Sequence, residues 1–171
     1  MQNFEAIFVE ATKNIGQDYF LLPVEGGRTL YRERVYCYEL YHQIRRLWPD
    51  RCAWSINGEV DKGGHLRFEG EKAPKPDFLV HVPGQHNNYA AVEVKAARIR
   101  RKGLIKDIGT LRRFLGKGYH RAIFLIYGLD AELARYCIRK YADPGQLAGI
   151  EVWVHPDQGE SAHRLDLLVA W

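Results

Sequence analysis

The chain has 171 residues, 46% of them hydrophobic, with three cysteines and a formal net charge of +4. That length supports one real core and leaves little for a second, and no repeat, low-complexity tract or linker interrupts it, so a single domain over residues 1–171 is expected. The longest apolar stretch, Ala122 to Leu129, falls far short of the roughly 18 residues that span a bilayer, and the N-terminus lacks a basic start followed by an apolar run. Cys37, Cys52 and Cys137 are odd in number and lack metal spacing, which suits reduced thiols and speaks against a zinc site. The expectation is a soluble, cytoplasmic protein with no membrane partner, whose small positive charge permits an anionic partner without requiring one.

In chain order, Phe4, Ile7, Phe8, Ala11 and Ile15 recur at helical spacing and predict an amphipathic helix over about residues 2–15. After a loop at Pro23 to Gly27, the stripe Cys37, Leu40, Ile44 and Leu47 predicts a long helix over 29–48, stopped by Pro49. Residues 51–56 read as a strand, Asn57-Gly58 as a hairpin turn and 65–68 as a short strand. Two apolar strands follow, 77–82 and 89–97, joined by a turn that begins at Pro83-Gly84. A helix over 104–115, with Leu104, Ile108, Leu111 and Leu115 inward, leads to a buried strand at 122–127. A helix at 130–141, a loop at 143–149 and strands at 150–155 and 164–171 complete the chain.

The chemistry concentrates on the pair of strands opened by Pro76-Asp77 and carrying Glu93-Val94-Lys95. Successive side chains of a strand point to opposite faces, so Glu93 and Lys95 share one face while Val92 and Val94 fill the other. An apolar strand excludes such charges unless they are paired or bound to a metal, because desolvating each costs several kcal/mol, about the whole stability margin. If the two strands pair as a hairpin, Asp77 lies beside Glu93, and three charges converge on one point.

Pro76-Asp77 followed by Glu93-x-Lys95 resembles the signature of the PD-(D/E)xK nuclease superfamily, and the helix, strand meander, helix, strand order over most of residues 29–127 is similar to its restriction-endonuclease-like fold. The resemblance implies an α/β fold with a central mixed sheet flanked by helices. It also implies a divalent-metal-dependent phosphodiesterase, an endonuclease rather than an exonuclease, acting on DNA and leaving a 5′-phosphate. Asp77 and Glu93 would hold Mg²⁺, with Mn²⁺ able to substitute, because hard cations take carboxylate oxygens. Lys95 would orient the attacking water or the scissile phosphate and offset developing charge.

The superfamily often adds an acid from the helix before the motif strands, for which Glu33, Glu39 and the loop residue Glu59 are candidates. Glu39 is preferred as a further catalytic and metal-binding residue, since Glu33 in the first turns is already explained by the helix dipole. Among histidines, His81 lies four residues from Asp77, about 13 Å along a strand, and reads as packed or hydrogen-bonded; His42 is as easily surface as site, and His65 is a weak phosphate candidate.

Arg98, Arg100, Arg101, Lys102 and Lys106 follow Lys95 directly, and Arg112, Arg113, Lys117 and Arg121 continue the bias. Beside a metal site they would carry the phosphate backbone of nucleic acid, which gives affinity without sequence reading; alone, such a run reads as a solvated helix face. Tyr31, Tyr36, Tyr38 and Tyr41 read as helix packing rather than a base-stacking platform, and no recognition module such as a helix-turn-helix is present. Specificity would then come from a protein partner, a second copy in a homodimer, or DNA structure. The alternatives are an RNA nuclease and a catalytically silent nucleic-acid-binding or assembly subunit with the same fold.

Overall fold

The computed structural model describes residues 3–59 and 74–167. Two short helices and a small hairpin precede the long helix: α1 (Phe4–Lys13), α2 (Gln17–Phe20), and the antiparallel pair β1 (Leu22–Val24) and β2 (Arg28–Leu30). The loop expected at 23–27 is thus the turn of that hairpin, and β2 takes the residues expected to begin the long helix, α3 (Glu33–Leu47). The helix ends where Trp48, before Pro49, turns extended, as a residue preceding proline prefers.

The main sheet has six strands in sequential order: β3 (Ser55–Gly58), β4 (Phe78–His81), β5 (Asn88–Ala96), β6 (Arg121–Tyr127), β7 (Ile150–His155) and β8 (His163–Arg164). β3, β4 and β5 run antiparallel, β5, β6 and β7 parallel, and β8 returns antiparallel on β7. The parallel pairs are bridged by α4 (Arg101–Gly116) and by α5 (Ala131–Tyr141) with the short α6 (Pro144–Leu147), neither α2 nor α6 having been expected. Because strand order advances in one direction, two crossovers of the same hand put α4 and α5 on the same face. The mixed sheet flanked by helices is therefore present, and β7 and β8 extend it.

Alternation along the strands divides the interior into two cores. On one face, Ile56, Phe78, Val80, Val92, Val94, Ile123 and Leu125 meet Phe4, Phe8 and Ala11 of α1 and Tyr36, Leu40 and Ile44 of α3. On the other, Leu79, Ala91, Phe124, Ile126, Val152 and Val154 meet Leu104, Ile108, Leu111 and Phe114 of α4 and Ala134 and Ile138 of α5. β6 is buried on both faces, as expected of a central parallel strand. No helix among the described residues is long and apolar enough to cross a membrane.

Asn57-Gly58 is not a turn: both residues pair within β3, opposite Leu79 and Phe78, and the chain turns at Glu59, the one non-glycine residue with positive φ among those described. Ladder pairing overrides the local turn preference of this dipeptide. The expected strand at 65–68, with His65, lies outside the described residues, and of the last expected strand only His163–Arg164 is paired among them.

Candidate active site

The β4–β5 ladder stops at the Phe78–Val92 pair, because Pro76 has no N–H to continue it. The Asp77 side chain takes over: its Oδ2 accepts the Val94 N–H at 2.7 Å, which fixes the carboxylate at the strand edge. Glu93 and Lys95 follow Ala91 on the α4 face, one and three residues beyond the last ladder pair. Glu93 is 6% exposed, and among the described residues no hydrogen bond or ion pair reaches its carboxylate.

Lys95 is the hub. Its Nζ donates to Glu33 Oε2 at 3.2 Å and lies 2.8 Å from Oδ2 of Asp107, an α4 residue only 4% exposed. Glu33 in turn accepts the Ala96 N–H through Oε1 at 3.2 Å, so the first residue of α3 is tied to the end of β5. Gly103, one turn before Asp107, lies beside Nζ, and a Cβ added there would meet it at 3.9 Å, an ordinary contact.

Of the two α3 acids weighed from sequence, the one bonded to Lys95 is Glu33 and not the preferred Glu39. The two are six positions apart, about 240° around a helix, so they face different surroundings. Glu39 accepts a hydrogen bond from Gln43 Nε2 at 2.6 Å, one turn further along α3. Glu33 is the acid that reaches Lys95, and the helix start that favoured a dipole explanation is also what brings it to the strand end. Glu59 pairs instead with Arg34 at 3.5 Å on the surface. Asp107 escaped the sequence reading because it sits in a cationic run; its signal was its position three residues after Leu104 and four before Leu111, on the inward stripe.

Burial dominates the electrostatics. It pushes Asp77 up to about 6, opposed by the Val94 N–H and reinforced by the Asp107 and Glu33 charges. Glu93 is pushed up to about 9, by burial first and then by the neighbouring Asp77 and Asp107 carboxylates. Burial also raises Asp107, against its bond to Lys95. For Lys95, burial disfavours the charge, yet the hydrogen bond to Asp107 and the Asp107 and Glu33 charges prevail and hold the ammonium above its ordinary value. A fixed cation thus sits beside two carboxylates that lack enough positive charge around them.

No group of three or more His, Cys, Asp or Glu residues suited to a metal occurs among the described residues. Asp77 and Glu93 nevertheless fit a Mg²⁺-type ion, which keeps several waters and uses one or two carboxylates plus substrate phosphate. The absence of any partner for the Glu93 carboxylate among the described residues is what such an ion would remedy.

Arg98, Arg100, Arg101, Lys102 and Lys106 are all exposed. Arg100 caps α4, and Arg101 and Lys102 occupy its first turn, where there is no acid. Cations at the positive end of a helix each cost about 0.3–1 kcal/mol unless an anion joins them, and α1, α3 and α5 each carry a Glu in the first turn, at Glu5, Glu33 and Glu132. The continuation of the basic run is structural in part: Arg121 pairs with Glu151 at 2.6 Å and Glu5 at 3.1 Å, and Arg112 donates to the Gly145 carbonyl. A cleft of about 450 Å³ lined by Tyr31, Arg32, Glu33, Ala96 and Arg98 opens on the Glu33 side.

His81 Nε2 is 2.9 Å from Asn57 Oδ1, a hydrogen-bonded residue of the sheet, and His42 is exposed. His155, not considered from sequence, is fully buried with Nδ1 2.7 Å from the Tyr36 hydroxyl, and burial lowers it to about 4, so it stays neutral in the core. The three cysteines are free, and burial, then the charges of Asp77, Glu33 and Glu93, holds the Cys37 thiol far from ionisation. No protein-family model matches the chain, and neither does any curated protein.

Proposed function

We propose that the chain is a divalent-metal-dependent nuclease that hydrolyses phosphodiester bonds within DNA strands. The observation that supports this reading is the meeting of Asp77, Glu93 and Lys95 at one strand edge, next to a helix start crowded with cations. Asp77 and Glu93 would hold Mg²⁺, or Mn²⁺ in its place. Such an ion, when bound, makes water nucleophilic near neutral pH and offsets charge on the phosphate. Lys95 directs its ammonium at the reacting phosphate, held in place by Asp107 and Glu33. Glu33 acts through Lys95 as a positioning residue, and Arg98, Arg100, Arg101, Lys102 and Lys106 bind the backbone on either side of the scissile bond.

The test is incubation of the purified protein with duplex, single-stranded and branched DNA and with RNA, each with Mg²⁺, Mn²⁺ or EDTA. Cleavage of DNA that needs the metal and is lost in Asp77→Asn is the expected result. Undiminished cleavage in EDTA would overturn the reading, and cleavage confined to RNA would move the substrate. For the basic segment, replacing Arg100 and Arg101 together by Ala should weaken binding of all sequences alike. It should also reduce the slope of log affinity against log salt by about 0.9 per lost contact, with Mg²⁺ affinity unchanged. A solvated helix face predicts no change in slope.

A further inference from the structure

A second cleft, of about 470 Å³, ends on Asp77 at one side and is walled by Tyr38, Tyr41, Asn57, Gly58 and Phe78. We infer that this cleft takes an unpaired nucleobase of the substrate by stacking on Tyr38, so that the nuclease acts on single-stranded or locally unpaired nucleic acid in preference to intact duplex. The inference rests on the nuclease reading and adds the substrate class.

Tyr38 is the first reason. It is 62% exposed, more than any other large apolar side chain described, whereas Tyr36 is fully buried and Tyr31 and Tyr41 are half-buried against the core. The packing role expected for all four tyrosines therefore fails for Tyr38. A lone exposed aromatic needs no explanation, but this one lines a cleft that also reaches the half-buried Asp77. Further in, the Tyr41 and Phe78 rings are stacked at 11° to one another with centroids 6.4 Å apart, and the Tyr41 hydroxyl donates a long hydrogen bond to the Ile56 carbonyl at 3.4 Å.

The second reason is the order of residues on α3. Arg34, Tyr38, Tyr41 and Arg45 recur at four, three and four positions, which places them within about 60° of one another on the helix. Arg34 and Arg45 are exposed and stand roughly 16 Å apart along the axis, with the aromatic pair between them. Cations flanking a stacking surface match the repeat of a single strand, charge at the phosphates and a π-face between them. Both arginines are exposed, and the ion pair of Arg34 with the exposed Glu59 is one that water largely screens.

The third reason is the polar edge. Asn57 Oδ1 engages His81, which leaves its amide N–H groups for the acceptors that every base carries. Gly58 contributes no side chain to the cleft wall, and among the described residues a Cβ there would meet the Asp77 carbonyl oxygen at 3.7 Å, an ordinary contact. A phosphate at Asp77 and Lys95 would carry its own nucleoside toward this cleft, whereas a base kept in a duplex could not enter it.

The experiment measures affinity by fluorescence anisotropy, in EDTA, for a labelled oligothymidylate and for a fully paired duplex, with wild type, Tyr38→Ala and Tyr38→Phe. A fluorescent adenine analogue in a single strand reports stacking directly by quenching. Tyr38→Ala should weaken single-strand binding about tenfold or more and abolish the quenching, while duplex binding changes by less than about twofold; Tyr38→Phe should behave as wild type. Equal effects on both substrates, or none on the single strand, would overturn this inference while leaving the nuclease reading in place. Failure to bind the single strand would likewise overturn this inference, while the nuclease reading stands or falls with the metal-dependent cleavage of the earlier assay.

Discussion

Replacing Lys95 by Ala is expected to lower turnover by about 100-fold or more while substrate affinity stays within a few fold, because its ammonium acts on charge that develops in the transition state. The structure adds a second expected effect. Asp107 is 6% exposed at its side chain and lies 2.8 Å from Nζ, so removing the lysine strands a buried carboxylate. Breaking one side of such a pair costs about 3 kcal/mol or more, visible as a lower urea midpoint at neutral pH. The two effects are separable. Combining Lys95→Met with Asp107→Asn removes both charges and should recover most of the stability, since the buried Asp107 charge goes together with its partner. Turnover should remain low. If the double variant regained activity together with stability, Lys95 would be a structural lysine and the catalytic role assigned to it would fall.

The Glu93→Gln variant should be more stable than the wild type above neutral pH in the absence of metal, and should lose most of the pH dependence of stability. The folded pKa of Glu93, pushed up to about 9, and that of Asp77, pushed up to about 6, both exceed the ordinary values of 4.5 and 3.8. A carboxyl raised on folding binds its proton more tightly in the native state. Its stabilising contribution is therefore complete below about pH 4 and is lost as pH rises through the folded values, first Asp77 and then Glu93. Metal-free wild type should thus weaken between about pH 4 and 9, by more than about 1 kcal/mol in urea unfolding. Adding Mg²⁺ should restore stability at the alkaline end and release protons, since the cation favours the ionised pair. A flat pH profile for the metal-free wild type, or the same Mg²⁺ effect in Glu93→Gln, would show that the two carboxylates do not act as a buried pair.

What the sequence makes legible here are the features set by periodicity. The alternation in 89–97 identifies β5 and puts Glu93 with Lys95, and the stripes Leu104, Ile108, Leu111 and Cys37, Leu40, Ile44 identify α4 and α3 with their inward faces. Short elements held by their surroundings are not legible: β1, β2, α2 and α6 have three or four residues each, too few for a period to show. Asn57-Gly58 misled because a dipeptide preference of tenths of a kcal/mol yields to a ladder supported by buried Phe78 and Leu79. Within the site, Asp77, Glu93 and Lys95 come from neighbouring strands and could be brought together on paper. Glu33 and Asp107 reach them from 62 and 12 positions away from Lys95 through the packing of α3 and α4, and only the three-dimensional arrangement reveals those partners.

The proline that ends the β4–β5 ladder reaches beyond the strand it terminates. Pro76 ends the ladder, and the Val94 N–H is donated to Asp77 Oδ2, which leaves Oδ1 as the oxygen outside that bond. In the proposed metal site Asp77 would bind through Oδ1 as a monodentate ligand. Large cations such as Ca²⁺ gain from bidentate carboxylates and high coordination number, whereas a small octahedral ion bound at about 2.1 Å is content with one oxygen from each acid and water elsewhere. In the proposed metal site, the backbone bond that holds Asp77 would thereby favour a small ion over a large one.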